Sequence, residues 1–230
     1  MIGDQTIDAE ATMLCAKVYG FLSSAFLYPR ENWTEDVEHA LNATRGLGYS
    51  ELNLVVEPLD LKQLQSEYLR AIGASGPLSY ETEYGLDGSF RQSHELADIS
   101  GFYKAFGFNV GGTVRERPDH LATELEFMHL LALKEWHAPK KEQAEVCVDA
   151  QRKFLEDHLG RWIEAFAIRV AFEAKDNLYS ELALFATAFI KEEVERLGAN
   201  PDPLVAERLK PTPFDTSIGC GDCPIPEGIA

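Results

Sequence analysis

An all-α fold is predicted by three observations. Apolar residues recur at helical spacing along most of the chain, the stripes they form are bounded by recognisable cap and stop residues, and no segment alternates apolar and polar residues as a half-buried strand does. No internal repeat of fixed period is present.

The elements follow in order. Leu14, Val18, Phe21, Leu22 and Ala25 share one helical face, and Pro29 stops that helix. A weaker helix is expected from Thr34 to Leu47. Asp60 followed by Gln63 has the form of a capping box, ahead of Leu61, Leu64, Tyr68 and Ile72. Leu96, Ile99, Tyr103 and Phe106 make the next stripe, with Gly107 as its C-terminal cap. Leu121, Leu125, Met128 and Ala132 follow Pro118; Pro139 opens a helix reaching about His158; and Leu159, Trp162, Phe166 and Val170 make another. Tyr179, Leu182, Ala186, Phe189 and Ile190 form the last, which ends at Gly198. The expected organisation is one helical domain over 1–200, made of two closely packed halves joined by a linker near 108–118, followed by an extended Pro/Gly-rich tail over 201–230. That linker is also a hinge at which domain swapping is cheap, so both a monomer and a swapped dimer remain open.

Composition narrows the partners. With 230 residues, 45% of them hydrophobic, the chain is long enough to bury a core. It carries 38 acidic against 21 basic residues, a formal net charge of −17. Nucleic acid and anionic membrane surfaces, both bound through Lys and Arg, are therefore poor partners. A cationic partner is attracted and steered, although the same acidity also serves solubility. No apolar run is long enough to span a bilayer. Met1 to Glu10 is acidic, without the basic region of a secretory signal, so a cytoplasmic location is expected. Four cysteines, at 15, 147, 220 and 223, are too few for a disulfide scaffold and suit a reducing compartment. Cys15 and Cys147 fall inside helical patterns and are expected to be buried.

The most informative segment runs Arg117-Pro118-Asp119-His120-Leu121-Ala122-Thr123-Glu124-Leu125-Glu126-Phe127-Met128. Pro118 suits a helix start, Asp119 places a carboxylate near the positive end of the helix dipole, and His120 and Glu124 are four residues apart on one face. Physics alone leaves two readings: a capped helix start with a surface His–Glu pair, or a binding determinant. A second segment, Gly73 to Arg91, is loop-like but holds Tyr80, Tyr84 and Phe90. Tyr80 and Tyr84 either pack onto the core or anchor a ligand. Cys220-Gly221-Asp222-Cys223 is either half of a zinc site, a redox pair or a plain tail feature; with no second CxxC, Cys220 and Cys223 are weak metal candidates. Glu126-x-x-His129 is one half of a carboxylate-bridged di-iron motif whose second half is missing, which makes a helical-bundle metalloenzyme a remote alternative. Phosphate loops, nucleophile elbows and zincin motifs are also missing.

At Pro118-Asp119-His120-Leu121, with Glu124-Leu125 and Phe127-Met128 behind it, the chain resembles the TorD-type redox-enzyme maturation proteins, which include the DmsD and NarJ chaperones. Ser79-Tyr80-Glu81-Thr82-Glu83-Tyr84, preceded by Tyr68-Leu69, resembles the family's Pro-Tyr-Glu-Ser-x-Tyr loop, with Ser79 in place of Pro and Thr82 in place of Ser. Phe154-Leu155-Glu156-Asp157-His158-Leu159-Gly160-Arg161-Trp162 matches a third family feature, and together the motifs span about residues 10 to 198. The resemblance implies an all-helical cytoplasmic chaperone without catalytic residues or cofactors. It further implies a client: the catalytic subunit of a molybdopterin enzyme of the dimethyl sulfoxide reductase family, bound at its twin-arginine signal or nearby and held until cofactor is inserted. The general look, with its cysteine-bearing tail, leans toward the subgroup serving type II enzymes. The competing function is a generic helical peptide-binding adaptor; a molybdoenzyme operon beside the gene separates the two. The expected peptide-binding residues are Tyr68, Leu69, Tyr80, Glu81, Tyr84, Asp119, His120 and Glu124. A twin-arginine segment is basic and then apolar, which carboxylates beside Leu and Tyr side chains complement. Read as a helix-terminal charge, Asp119 replaced by Ala is expected to weaken binding at a stability cost of only about 1 kcal/mol. No stoichiometric iron or molybdenum is expected.

Overall fold

The computed structural model describes residues 9–73, 79–84, 89–111 and 116–204. Its helices are α1 (Ala9–Ala25), α2 (Val37–Gly46), α3 (Leu61–Ala71), α4 (Ser89–Ala105), α5 (Leu121–Trp136), α6 (Lys141–Phe154), α7 (Gly160–Glu173) and α8 (Leu178–Leu197). Short 3-10 turns cover Trp33–Asp36 and Glu81–Glu83. Among the described residues there is no strand, only an isolated antiparallel bridge between Tyr80 and His120.

The helix ends are written in local chemistry. The Asp60 carboxylate accepts from the Gln63 amide at 2.9 Å while the Gln63 side chain accepts from the Asp60 amide at 2.8 Å, so the capping box is present at α3. Asn177 caps α8 by accepting from the Tyr179 amide at 2.7 Å. Gly198 ends α8 in the left-handed region at φ 65°, a conformation that costs glycine little and other residues more.

The helix expected from Pro139 ends sooner than predicted. α6 stops at Phe154, and a π turn over Leu155–Leu159 carries the chain directly into α7. Gly160 explains the junction. Its amide donates to the Leu155 carbonyl, and a Cβ built at this position would lie 2.5 Å from that same oxygen. The wide turn therefore requires a residue without a side chain.

One continuous set of buried apolar residues runs from Cys15 in α1 to Ile190 in α8 and draws on both sides of the 108–118 linker. α1 packs along α5, α5 against α6, and α7 along α8, with α3 set against α8. Near the start of α5, Tyr103, Phe127 and Phe154 stack with ring centroids 4.7 to 6.1 Å apart, in the tilted and edge-on arrangements that aromatic quadrupoles favour. Cys15 and Cys147 are free and buried, as expected; Cys220 and Cys223 lie outside the described residues. Cys15 is also part of a buried polar knot in which Glu193 accepts from Cys15 Sγ at 3.4 Å, Tyr49 Oη at 3.0 Å and the Arg196 guanidinium at 2.8 and 2.7 Å. One carboxylate on α8 thereby satisfies donors from α1, from the segment after α2 and from its own helix.

Candidate functional site

The loop 79–84 and the start of α5 come together. The Leu121 amide donates to the Ser79 carbonyl at 2.8 Å and the Glu81 amide to the Asp119 carbonyl at 2.9 Å. Two short segments thus form a one-rung ribbon, and their side chains interlock around it.

Asp119 is the centre of that interlock. It is fully buried, and its carboxylate accepts from the Thr82 hydroxyl at 2.8 Å and from Arg117 Nε and Nη2 at 3.0 and 2.8 Å. Arg117 Nη2 also donates to Thr82 Oγ1 at 2.8 Å, and its guanidinium lies 4.5 Å from the centre of the Tyr80 ring. The pairing is bidentate and charge-assisted, which makes it strong as hydrogen bonds go. Thr82, standing where the family pattern has Ser, supplies the same hydroxyl.

His120, not Asp119, caps α5: its Nδ1 accepts from the Ala122 amide at 3.1 Å. To accept, the imidazole must be neutral, and burial pushes its pKa below the ordinary 6.5. The sign follows from linkage. Below pH 6.5 the unfolded chain takes up this proton more readily than the folded one, so the contribution of His120 is complete above that value and is lost as pH falls. Replacing His120 by Asn, a residue that caps without titrating, is expected to flatten the melting temperature between pH 7 and pH 5 relative to the unmodified chain. Parallel melting profiles of the two proteins would contradict this.

Glu124 does not pair with His120, although the two share a helix face. It is fully buried, and its Oε2 accepts from Trp162 Nε1 at 3.0 Å. No donor faces Oε1; Glu81 lies beside it. Burial first, and the Glu81 charge second, hold the Glu124 pKa well above the usual carboxyl range. A proton on Glu124 then donates to Glu81 and removes the unpaired atom. Glu81 in turn accepts from His158 Nδ1 at 3.2 and 3.3 Å. His158 is a site residue that sequence reasoning did not single out, although the motif containing it was visible.

Of the predicted binding residues, Glu81, Tyr84, Asp119, His120 and Glu124 are buried in this arrangement, while Tyr68 and Tyr80 are half-buried and Leu69 is 56% exposed. Tyr84 packs on Trp162 with centroids 5.2 Å apart. Of the accessible members, Tyr80 reaches a small cleft between the end of α1 and the first turns of α5, lined by Leu27, Val110, Glu116, Thr123 and Glu126. Tyr80 Oη donates to Glu116 at 3.2 Å, and Tyr68 sits edge-on to Tyr28 at 5.5 Å. Tyr28 is 45% and Val110 37% exposed. The cleft therefore brings the Glu116 and Glu126 carboxylates together with the apolar side chains of Leu27 and Val110.

Among the described residues no group of three or more His, Cys, Asp or Glu side chains is arranged to hold a metal ion, and no helix is long and apolar enough to cross a membrane. Glu126 and His129, the half di-iron motif, do not converge on a common point: Glu126 is exposed, and His129 Nδ1 bonds the Ala16 carbonyl at 2.7 Å.

The family model described as nitrate reductase delta subunit matches residues 38–167. The chain is 33% identical over 162 residues to the chlorate reductase assembly chaperone protein of Ideonella dechloratans, covering 66% of this chain and 79% of that one. It is 33% identical over 159 residues to the selenate reductase assembly chaperone protein of Thauera selenatis, covering 65% and 78%. Chaperone protein TorD of Vibrio cholerae is 29% identical over 181 residues, covering 77% and 78%.

Proposed function

We infer the function from one premise: the chain belongs to the nitrate reductase delta subunit family, whose model covers residues 38–167 of its 230. It is a system-specific assembly chaperone for a molybdenum reductase of the dimethyl sulfoxide reductase family, acting in the cytoplasm and not as an enzyme. Its client is the catalytic subunit, bound at the twin-arginine signal or a nearby segment before cofactor insertion and export. Relatives named for the assembly of chlorate and selenate reductases support a client of the type II kind.

The observation that carries this reading is the cleft beside the clamped loop. Glu116 and Glu126 offer carboxylates to a basic stretch, and Leu27 and Val110 in the cleft offer apolar surface to the hydrophobic run behind it, with Tyr28 and Leu69 exposed elsewhere on the surface. Tyr68, Leu69 and Tyr80 touch the client; Glu81, Tyr84, Asp119, His120 and Glu124 hold Tyr80 and its loop in place from beneath. Binding of this kind has two separable parts. Exposed charge pairs are screened over about 10 Å at 0.1 M salt, whereas apolar burial persists.

The test is calorimetric titration with a synthetic peptide of two adjacent arginines followed by a leucine- and alanine-rich run. Affinity is expected to weaken with salt without vanishing. Tyr80→Ala and Leu69→Ala are each expected to weaken it about tenfold, the scale of a central interface side chain, with melting temperatures nearly unchanged. Affinities unaltered in both variants would move the client elsewhere.

A further inference from the structure

We propose that His158 is the positioning residue of this site: from the π turn it holds the Glu81 carboxylate, and through it the loop 79–84, in the posture that presents Tyr80 to the cleft. The client part of this inference rests on the function proposed above.

The geometry begins with an irregularity. π turns are rare and costly relative to continuous α-helix, and they recur where a side chain must be aimed. Here the turn covers Leu155–Leu159, is permitted by Gly160, and delivers His158 into the core at 2% exposure. The imidazole is gripped by two rings, Phe154 at 5.0 Å and Phe102 at 5.5 Å. Its Nδ1 donates to Glu81, which is itself 3% exposed. Its Nε2 lies 3.4 Å from Asp98 Oδ2 on α4, close enough for an ion pair but without the alignment of a hydrogen bond. One ring thus links loop 79–84, α4 and the α6–α7 junction.

The link is directional where the alternatives are not. On its α5 side the loop is held by Asp119 and by the proton that Glu124 donates to Glu81. On the α7 side it is held by the Tyr84 ring, which lies on Trp162 and 5.5 Å from the Arg169 guanidinium in contacts that tolerate sliding, and by Glu81 on His158, which does not. A buried ionisable pair is a poor source of net stability compared with apolar packing of the same volume, but it fixes one arrangement against its neighbours. Tyr80 is the residue adjacent to Glu81, and its hydroxyl reaches Glu116 on the cleft wall. A shift of Glu81 therefore moves the cleft's aromatic wall directly.

Two substitutions of the full chain separate this role from packing. In His158→Asn the amide nitrogen takes the place of Nδ1 and keeps the donor to Glu81; in His158→Gln it takes the place of Nε2 and loses it. Hydrogen exchange of the loop amides, which donate to Asp119, Tyr80 and Glu81, reads the loop without any client. Titration with the arginine–leucine peptide reads the cleft. For His158→Gln, exchange at Thr82 and Tyr84 is expected to accelerate about tenfold or more, with α8 amides unchanged. Peptide affinity should fall by about tenfold in the same protein. His158→Asn is expected to restore both to within about threefold of the wild type. Equal loop exchange in His158→Gln and wild type overturns the proposal. So does a His158→Asn variant as loose as His158→Gln, since packing alone would then explain the loss. A wild type that binds no peptide, combined with a loosened loop in His158→Gln, sinks the client reading while supporting the hold of His158 on the loop.

Discussion

Asp119→Ala is expected to destabilise the chain by about 2–3 kcal/mol, because it removes a fully buried acceptor and leaves the buried Thr82 hydroxyl without one, while the half-exposed Arg117 guanidinium can turn to solvent. For a chain of this size that is a fall in melting temperature of roughly 4–12 °C. The carboxylate has no exposed surface and accepts from Thr82 and twice from Arg117. Its loss strands the Thr82 hydroxyl. This exceeds the cost of about 1 kcal/mol expected of a helix-terminal charge, since solvent does not reach the buried Thr82 hydroxyl to replace its missing acceptor. Asp119→Asn keeps an acceptor and should cost less than half as much. Thermal melts of the three proteins check the ordering; a loss below about 1 kcal/mol in Asp119→Ala would mean that the interlock contributes little.

Glu124 gives the second large effect, and it depends on pH. Removing the side chain in Glu124→Ala leaves the Trp162 N–H unpaired and opens space in the core, at a cost of about 3 kcal/mol. Glu124→Gln should behave in the opposite way. The folded chain holds a proton on Glu124 that the unfolded chain releases near the ordinary value of 4.5. Above that pH the folded state binds more protons than the unfolded one, so stability falls as pH rises, until the folded group itself ionises. An amide keeps the acceptor for Trp162 and the donor for Glu81 but has no proton to lose. Glu124→Gln is therefore expected to match the wild type near pH 4.5 and to exceed it as pH rises above that, until the folded carboxyl itself ionises. A Glu124→Gln variant less stable than wild type at pH 8 would show that Glu124 works as a carboxylate.

Much of the fold was readable because helix ends are local. Asp60 with Gln63, and Gly198 with the stripe before it, announce their structures within four or five residues. The family resemblance also assigned residues of the 79–84 loop and of the α5 start to one site, and these two segments meet in the structure. What the sequence hid was depth. Helical spacing places His120 and Glu124 on a common face, but it does not reveal that one bonds a backbone amide and the other an indole 38 residues away. Nor does any spacing connect Glu81 with His158 across 77 residues. The π turn was hidden for a different reason: it leaves apolar residues close to helical register, and Gly160 alone marks it. So the motif residues read as a peptide surface are, in large part, buried.

The central claim is that these residues serve recognition of a reductase subunit through a basic and then apolar segment. The most direct measurement is calorimetric binding of the full chain to the cofactor-free catalytic subunit of its host's molybdenum reductase, with and without the subunit's N-terminal segment. The account predicts saturable one-to-one binding that weakens about a hundredfold when the segment is removed, equivalent to about 2.8 kcal/mol. Binding of equal strength to both forms, or to neither, would contradict it.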